Sequence, residues 1–134
     1  MAYGLRSRTS WSVCLAAIIA AGILSRMVHT GLPAFDKHLG DVLYAAMVYA
    51  LLRLACATVP RGRVALYAAT AMTAIELFQL TGIAVRLLAS EHLLVRICAR
   101  LMGTQFSFVD LVCYAVGIGV IFLADGAHSA RSVS

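Results

Sequence analysis

The chain has few charged residues, and this scarcity excludes an ordinary water-soluble domain. Charged residues make up 13% of its 134 residues, whereas apolar residues make up 62%. Soluble domains draw roughly half of their residues from the apolar set, and a soluble domain of this size could not bury the excess. The composition therefore predicts one integral membrane domain that spans residues 1–134.

The sequence also lacks a cysteine pattern that would build a disulfide framework or a metal site. Its four cysteines show no CxxC pair and fall mostly in or beside apolar segments, where cysteine is usually a small apolar residue. His38 and Asp41 form one candidate metal-ligand pair, but no third ligand has matching spacing and no HExxH motif occurs. We therefore predict no disulfides, no metal site and no cofactor.

Four segments are long and apolar enough to cross a membrane, which takes ~20 residues and tolerates ~17. They lie at about 11–28, 40–59, 64–85 and 106–124. Residues 86–103 interrupt apolar side chains with arginines at helical spacing, which is typical of an amphipathic helix in the membrane interface. The predicted fold is all-α: a bundle of four transmembrane helices, an interfacial helix between the third and fourth, and a disordered polar tail, ADGAHSARSVS.

The basic residues indicate topology. They lie mostly between the apolar segments, so the net charge of +5 favours headgroup contacts and predicts no nucleic-acid partner. The basic start GLRSR precedes the first span and favours a cytoplasmic N terminus. With four spans, the C terminus is then cytoplasmic as well.

Ionisable residues collect at the outward-facing end of this topology. Glu76 is twelve residues into the third span, or ~18 Å from its cytoplasmic start, and Asp41 and Asp110 open spans whose starts face outward. A charge at the bilayer centre costs at least ~2.5–3.5 kcal/mol, so such residues usually pair or line a wet cavity. The predicted ligand-binding pocket consists of Asp41, Tyr44, Glu76, Gln79, Arg96, Asp110 and Tyr114.

A purely structural interpretation of these residues remains open. Asp41 and Asp110 stand at helix starts, where capping is about as common as function. A pair such as Glu76 with Arg96 can simply fasten two helices together. For Glu76 with Gln79 we favour function, because intramembrane ionisable groups usually mark functional sites.

Three stretches of the sequence carry a resemblance to a known family: HLGDVLYAAMVYALLR, IELFQLTGI and VRICARLMGTQFSFVDLVCYAVGIGVIF. They resemble a family of small bacterial four-helix membrane proteins of unknown function, some of which carry a ribosomal-maturation (YjgA) label. That family is distantly similar to VanZ-like proteins, which are associated with resistance to glycopeptides such as teicoplanin. The matching positions are Asp41, Glu76, Gln79, Arg96, Gly103, Asp110, Tyr114 and Gly117. Met102 and Phe108 depart from the usual Leu and Trp.

The resemblance implies a bacterial inner-membrane protein with an envelope role and supplies no reaction. Our leading hypothesis is a protein that binds an amphiphile or lipid headgroup in the outward-facing pocket. Two alternatives are a proton-coupled transporter that uses Glu76, usually a homodimer, and a purely structural membrane subunit. An intramembrane hydrolase or transferase lacks support, because no GxSxG or Ser/His pattern accompanies the carboxylates, and we assign no catalytic residue.

Overall fold

The computed structural model describes residues 2–28, 30–103 and 105–131, and the side chains of residues 8–28, 30–100, 103 and 105–131. These residues form six helices and, within the described ranges, no strand, so the predicted all-α class is confirmed. The helices are α1 (Ala2–Met27), α2 (Pro33–Ala55), α3 (Arg61–Leu80), α4 (Ile83–Leu88), α5 (Leu93–Met102) and α6 (Phe108–Arg131).

Helix α2 lies at the centre of the fold and contacts α1, α3 and α6. Helices α2 and α6 are parallel, because Lys37 pairs with Asp110 near their starts and Tyr49 bonds Asp125 near their ends. Their backbones approach closely at Gly117, where an added Cβ would collide with the Val42 carbonyl oxygen of α2. A glycine at this position therefore allows the contact between the two helices.

Helix α3 is antiparallel to α6 and follows it over most of its length. The Arg61 guanidinium, at the start of α3, lies 4.7 Å from the centroid of the Phe122 ring, toward the end of α6. At the other end of α3, Glu76 accepts a hydrogen bond from Tyr114. The α3 segment between these two contacts is ~22 Å long at ~1.5 Å per residue.

Alanine, aliphatic and aromatic side chains form the buried core between α1, α2, α3 and α6. Its members are Trp11, Ala45, Ala46, Tyr49, Ala50, Val64, Ala68, Met72, Tyr114, Ile118 and Ile121. Many larger apolar side chains point away from it, among them Ile19, Leu24, Leu51, Leu66, Leu77, Val112, Val116, Val120 and Leu123. A surface this apolar is expected where lipid replaces water as the solvent.

Three of the described helices are long and apolar enough to cross a membrane: residues Arg8–Met27 of α1, all of α2 and all of α6. This finding is compatible with a membrane protein. Helix α3 has 20 residues but is not among the three, since Arg61, Arg63 and Glu76 lower its hydropathy. The fourth span and the interfacial position of α5 stay predictions.

The helix boundaries differ from those predicted. Helix α2 begins at Pro33 and not near residue 40, because proline is favoured in the first turn of a helix. Helix α3 ends at Leu80, before Gly82 in the left-handed conformation. Segment 86–103 is divided between α4 and α5. The tail prediction is wrong for residues 125–131, which continue α6; residues 132–134 lie outside the described ranges.

Candidate functional site

Three carboxyl groups lie at one end of the bundle, where α2 and α6 begin and α3 ends. We call Asp41, Glu76 and Asp110 the acidic cluster. Glu76 and Asp110 are buried, and Asp41 is half-buried. Tyr114 lies on the same face of α6 as Asp110, and Gln79 lies on the same face of α3 as Glu76, because residues three or four apart share a helix face.

Glu76 has no solvent exposure, yet it has hydrogen-bond donors from three parts of the chain. The Tyr114 hydroxyl of α6 donates to Oε1 over 2.7 Å. Gln79, one turn along α3, donates to the same oxygen over 3.4 Å, and the backbone N–H of Ser107 donates to Oε2 over 3.4 Å. Gly103 packs against Gln79, because an added Cβ at this position would lie 2.8 Å from Gln79 Nε2. Its φ of +80° also favours glycine there. The predicted association of Glu76, Gln79 and Tyr114 is present.

Asp110 pairs with a lysine that the predicted pocket did not include. Lys37 Nζ lies 3.3 Å from each carboxylate oxygen of Asp110. The Asp110 side chain is 5% exposed, whereas that of Lys37 is 54% exposed. The ion pair therefore links a buried carboxyl group to an exposed ammonium group. Asp41 lies beside Asp110, close enough for the two carboxyl groups to affect each other electrostatically. Two carboxyl groups and one ammonium group thus meet at the rim of the cluster.

A histidine and a cysteine lie beside Asp41. His38 Nδ1 is 3.9 Å from Asp41 Oδ2, and the ligating atoms of His38, Asp41 and Cys113 all lie within 4.8 Å of one another. The sequence spacing offers no third ligand beside His38 and Asp41, but the packing of α2 against α6 brings Cys113 close to both. Cys113 comes from α6, and sequence spacing could not indicate it before the parallel packing of α2 and α6 was known.

Two residues of the predicted pocket, Tyr44 and Arg96, form no hydrogen bond or ion pair with the acidic cluster among the described residues. Tyr44 is half-buried and packs against the apolar core, and we find no hydrogen bond from it to a described residue. Arg96 is exposed on α5 and forms no ion pair with a described acidic residue. Helix α5 packs mainly against α4, which keeps Arg96 away from α3. The binding role assigned to these positions stays a prediction.

A second buried carboxylate, Asp125, lies at the opposite end of the bundle. The Tyr49 hydroxyl donates to Asp125 Oδ2 over 2.7 Å. Arg53 contacts both oxygens of Asp125, with Nε 2.9 Å from Oδ2 and Nη2 3.1 Å from Oδ1. The guanidinium carbon of Arg53 also lies 5.6 Å from the centroid of the Trp11 ring. We call Tyr49, Arg53 and Asp125 the Asp125 cluster.

Sequence reasoning missed the Asp125 cluster because it assigned Asp125 to a disordered tail. The available signal was periodicity: Ile118, Ile121 and Asp125 lie on one face of a helix, as do Tyr49 and Arg53. A cavity of about 150 Å³ adjoins this cluster between α1 and α6. Its lining consists of Ser10, Trp11, Cys14, Ile121, Ala124, Asp125 and His128.

Residues 31–118 match the profile of a protein family described as protein of unknown function (DUF2809). The chain belongs to this family. The expectation of an uncharacterised family is thereby confirmed, and the match gives no link to VanZ-like proteins or to ribosomal maturation. No curated protein and no solved structure matches the chain.

The family match covers the whole acidic cluster together with Lys37, His38 and Cys113. It also includes Tyr49 and Arg53 but ends before Asp125. Of the two clusters, only the acidic cluster is built wholly from family positions, and we take it as the candidate functional site.

Proposed function

We propose that the chain is an integral membrane protein that binds the polar headgroup of an amphiphile at the acidic cluster. The observation that carries the proposal is the state of Asp110, a buried carboxylate whose ion-pair partner is largely exposed. Beside it, Asp41 Oδ2 is buried and accepts no hydrogen bond from a described residue. Buried acceptors without donors are costly, and they favour a ligand that brings donors of its own.

The mixed charge of the site selects the class of headgroup. Asp41 and Asp110 suit an ammonium or hydroxyl group, which donates hydrogen bonds, and the exposed Lys37 suits a phosphate. A zwitterionic aminophospholipid carries both groups on one headgroup. Arg96, which we expected to meet the anionic part, is separate from the cluster, and Lys37 takes that role in the proposal.

Four spanning helices are part of the proposal. The antiparallel course of α3 beside α6 supports a fourth span, because Arg61 and Glu76 contact opposite halves of α6. Leu93, Leu94 and Ile97 are exposed on α5, which supports an interfacial helix whose apolar side chains meet lipid. The N terminus would then be cytoplasmic and the acidic cluster would face outward, in the bacterial inner membrane.

An envelope role follows from the resemblance to VanZ-like proteins, which we retain as a proposal. A protein that holds headgroups at the outer face could alter the access of glycopeptides or lipid-linked precursors. We assign Glu76 a structural role and not a ligand-binding one, because its carboxyl group already accepts a 2.7 Å hydrogen bond from Tyr114. We therefore propose that Glu76 fastens α3 to α6, and that Asp41, Lys37 and Asp110 contact the ligand.

Retention of defined lipids by the purified chain tests the headgroup proposal. The full chain is delipidated in detergent, mixed with equal amounts of phosphatidylethanolamine and phosphatidylglycerol, and examined by native mass spectrometry. We expect preferential retention of the amine lipid, and at least a tenfold loss of that preference in Asp110→Asn, equivalent to about 1.4 kcal/mol. Asp36→Asn is the matched control, since Asp36 lies in the first turn of α2, as Asp110 lies in the first turn of α6, but Asp36 accepts its hydrogen bonds from Thr30. Equal retention of both lipids by the wild-type chain would contradict the proposal.

A further inference from the structure

Three side chains of types that bind transition metals converge where α2 and α6 begin. His38 and Asp41 lie three residues apart on one face of α2, and Cys113 comes from α6. Their candidate ligand atoms all lie within 4.8 Å of one another. The convergence depends on the parallel packing of the two helices, which brings Cys113 to the level of Asp41.

Two of these side chains have buried polar atoms without partners. His38 Nδ1 and Asp41 Oδ2 are inaccessible and make no hydrogen bond to any described residue. Their separation of 3.9 Å is too long for a hydrogen bond between them. A direct His–Asp hydrogen bond therefore does not satisfy these two atoms, and both lie within 4.8 Å of a ligand atom of Cys113.

The three ligand atoms, which lie within 4.8 Å of one another, are close enough for side-chain rotation to bring them around a single metal ion. Zinc binds cysteine sulfur at about 2.3 Å and histidine nitrogen or carboxylate oxygen at about 2.0–2.2 Å, in tetrahedral geometry. Neighbouring ligands in such a site are roughly 3.5 Å apart. The 3.9 Å between His38 and Asp41 has to contract by a few tenths of an ångström, which side-chain rotation supplies.

The donor set also selects the class of metal. One thiolate, one imidazole and one carboxylate together favour a borderline ion such as Zn²⁺ or Co²⁺ over the oxygen-seeking Mg²⁺ and Ca²⁺. The thiolate and the carboxylate offset the charge of a divalent ion. Three protein ligands leave one coordination position for Asp110, its nearest carboxylate neighbour, or for a small molecule.

We propose that His38, Asp41 and Cys113 form a site for a divalent transition metal of the zinc class, which clips α2 to α6. Asp41 belongs to both this site and the proposed headgroup site, whereas His38 and Cys113 belong to the metal site alone. The ion would accept lone pairs from His38 Nδ1 and Asp41 Oδ2, the two buried atoms that make no hydrogen bond to a described residue. It would also stabilise the contact between the starts of the two helices.

Cobalt(II) binding to the full chain tests this site, because a cobalt–thiolate bond gives a charge-transfer band that other ligands do not produce. The purified, reduced and chelator-treated chain is titrated with cobalt chloride alone. We expect the band to saturate at about one ion per chain, to disappear in Cys113→Ser and to require at least tenfold more cobalt in His38→Gln. Cys98→Ser and His92→Gln, both exposed positions on or before α5, are the matched controls and should titrate as the wild type does.

The thermal midpoint provides a second readout that is independent of colour. Zinc should raise the midpoint of the wild-type chain and of both controls, and leave that of Cys113→Ser unchanged. A charge-transfer band that survives in Cys113→Ser, or that is lost in Cys98→Ser, would overturn the proposal. Absence of binding at micromolar cobalt would do so too. Neither His38→Gln nor Cys113→Ser changes Lys37 or Asp110, so failure here is distinguishable from failure of the headgroup proposal.

Discussion

Glu76 is the residue whose burial the fold explains best. A carboxylate at its depth would be costly alone, but its oxygens accept hydrogen bonds from Tyr114, Gln79 and the Ser107 backbone. These donors belong to α3, to α6 and to the segment that leads into α6. The buried charge consequently joins three parts of the chain, and it lowers the freedom of α3 to slide along α6.

Replacement of Tyr114 by Phe should destabilise the protein. The change removes the 2.7 Å donor of a fully buried carboxylate, and an unsatisfied buried group costs about 1–3 kcal/mol. Unfolding of the purified chain in mixed micelles, followed by circular dichroism, measures the free energy of unfolding. Tyr67→Phe is the control, because Tyr67 lies on α3, the helix that carries Glu76, and is 47% exposed. Equal losses in the two variants would show that the Tyr114 hydroxyl does not stabilise Glu76.

Residue patterns in the sequence predicted part of the candidate site. Asp110 and Tyr114 at i+4, and Glu76 and Gln79 at i+3, are face relationships that any helix guarantees. Arg96 was assigned as a partner of Glu76 from its charge and its side of the membrane. The glycine break at Gly82 redirects the chain into α4 and α5, and no sequence pattern shows where such a turn sends a side chain.

At the scale of helices, the parallel contact between α2 and α6 organises both polar clusters. Pairs near the helix starts and near their ends are held in register by the close approach at Gly117. This contact could not be predicted in detail, because small residues occur on several faces of the apolar helices. The continuation of α6 to Arg131 could not be predicted either, since most residues after Ala124 are polar or small. Arg53, which pairs with Asp125, is distant in sequence.

Gly117→Ala should weaken the α2–α6 contact. The new Cβ would collide with the Val42 carbonyl oxygen and lie 3.2 Å from Ala45 Cβ, and overpacking of a tight core costs about 1–3 kcal/mol. The matched control is Gly119→Ala, two residues along the same helix, where an added Cβ meets nothing within 4 Å. The free energy of unfolding should fall in the first variant and not in the second. A similar value for both would mean that the helices part without cost.

At the scale of the whole molecule, two polar ends are separated by an apolar middle. Asp110 and Asp125 mark these ends on α6, ~22 Å apart at ~1.5 Å per residue. A bilayer has a hydrocarbon core about 30 Å thick, so each cluster would lie somewhat inside one boundary of that core. The apolar side chains exposed between them would face the lipid tails. Composition alone predicted this membrane class, whereas the number of crossings depends on α3.

Cysteine labelling from outside the cell distinguishes four crossings from three. Three single-cysteine chains carry Thr9→Cys, the native Cys98, or Ala130→Cys; these positions are exposed in α1, α5 and α6. Four crossings, with α3 as a span, place positions 9 and 130 on one side and Cys98 on the other. Three crossings instead place position 9 with Cys98, and position 130 opposite, whichever way the protein is inserted. We expect an impermeant maleimide to label Cys98 alone in intact spheroplasts and all three chains after lysis. Labelling of position 130 alone would show that α3 does not cross the membrane. Labelling of positions 9 and 130 without Cys98 would show four crossings in the reverse orientation.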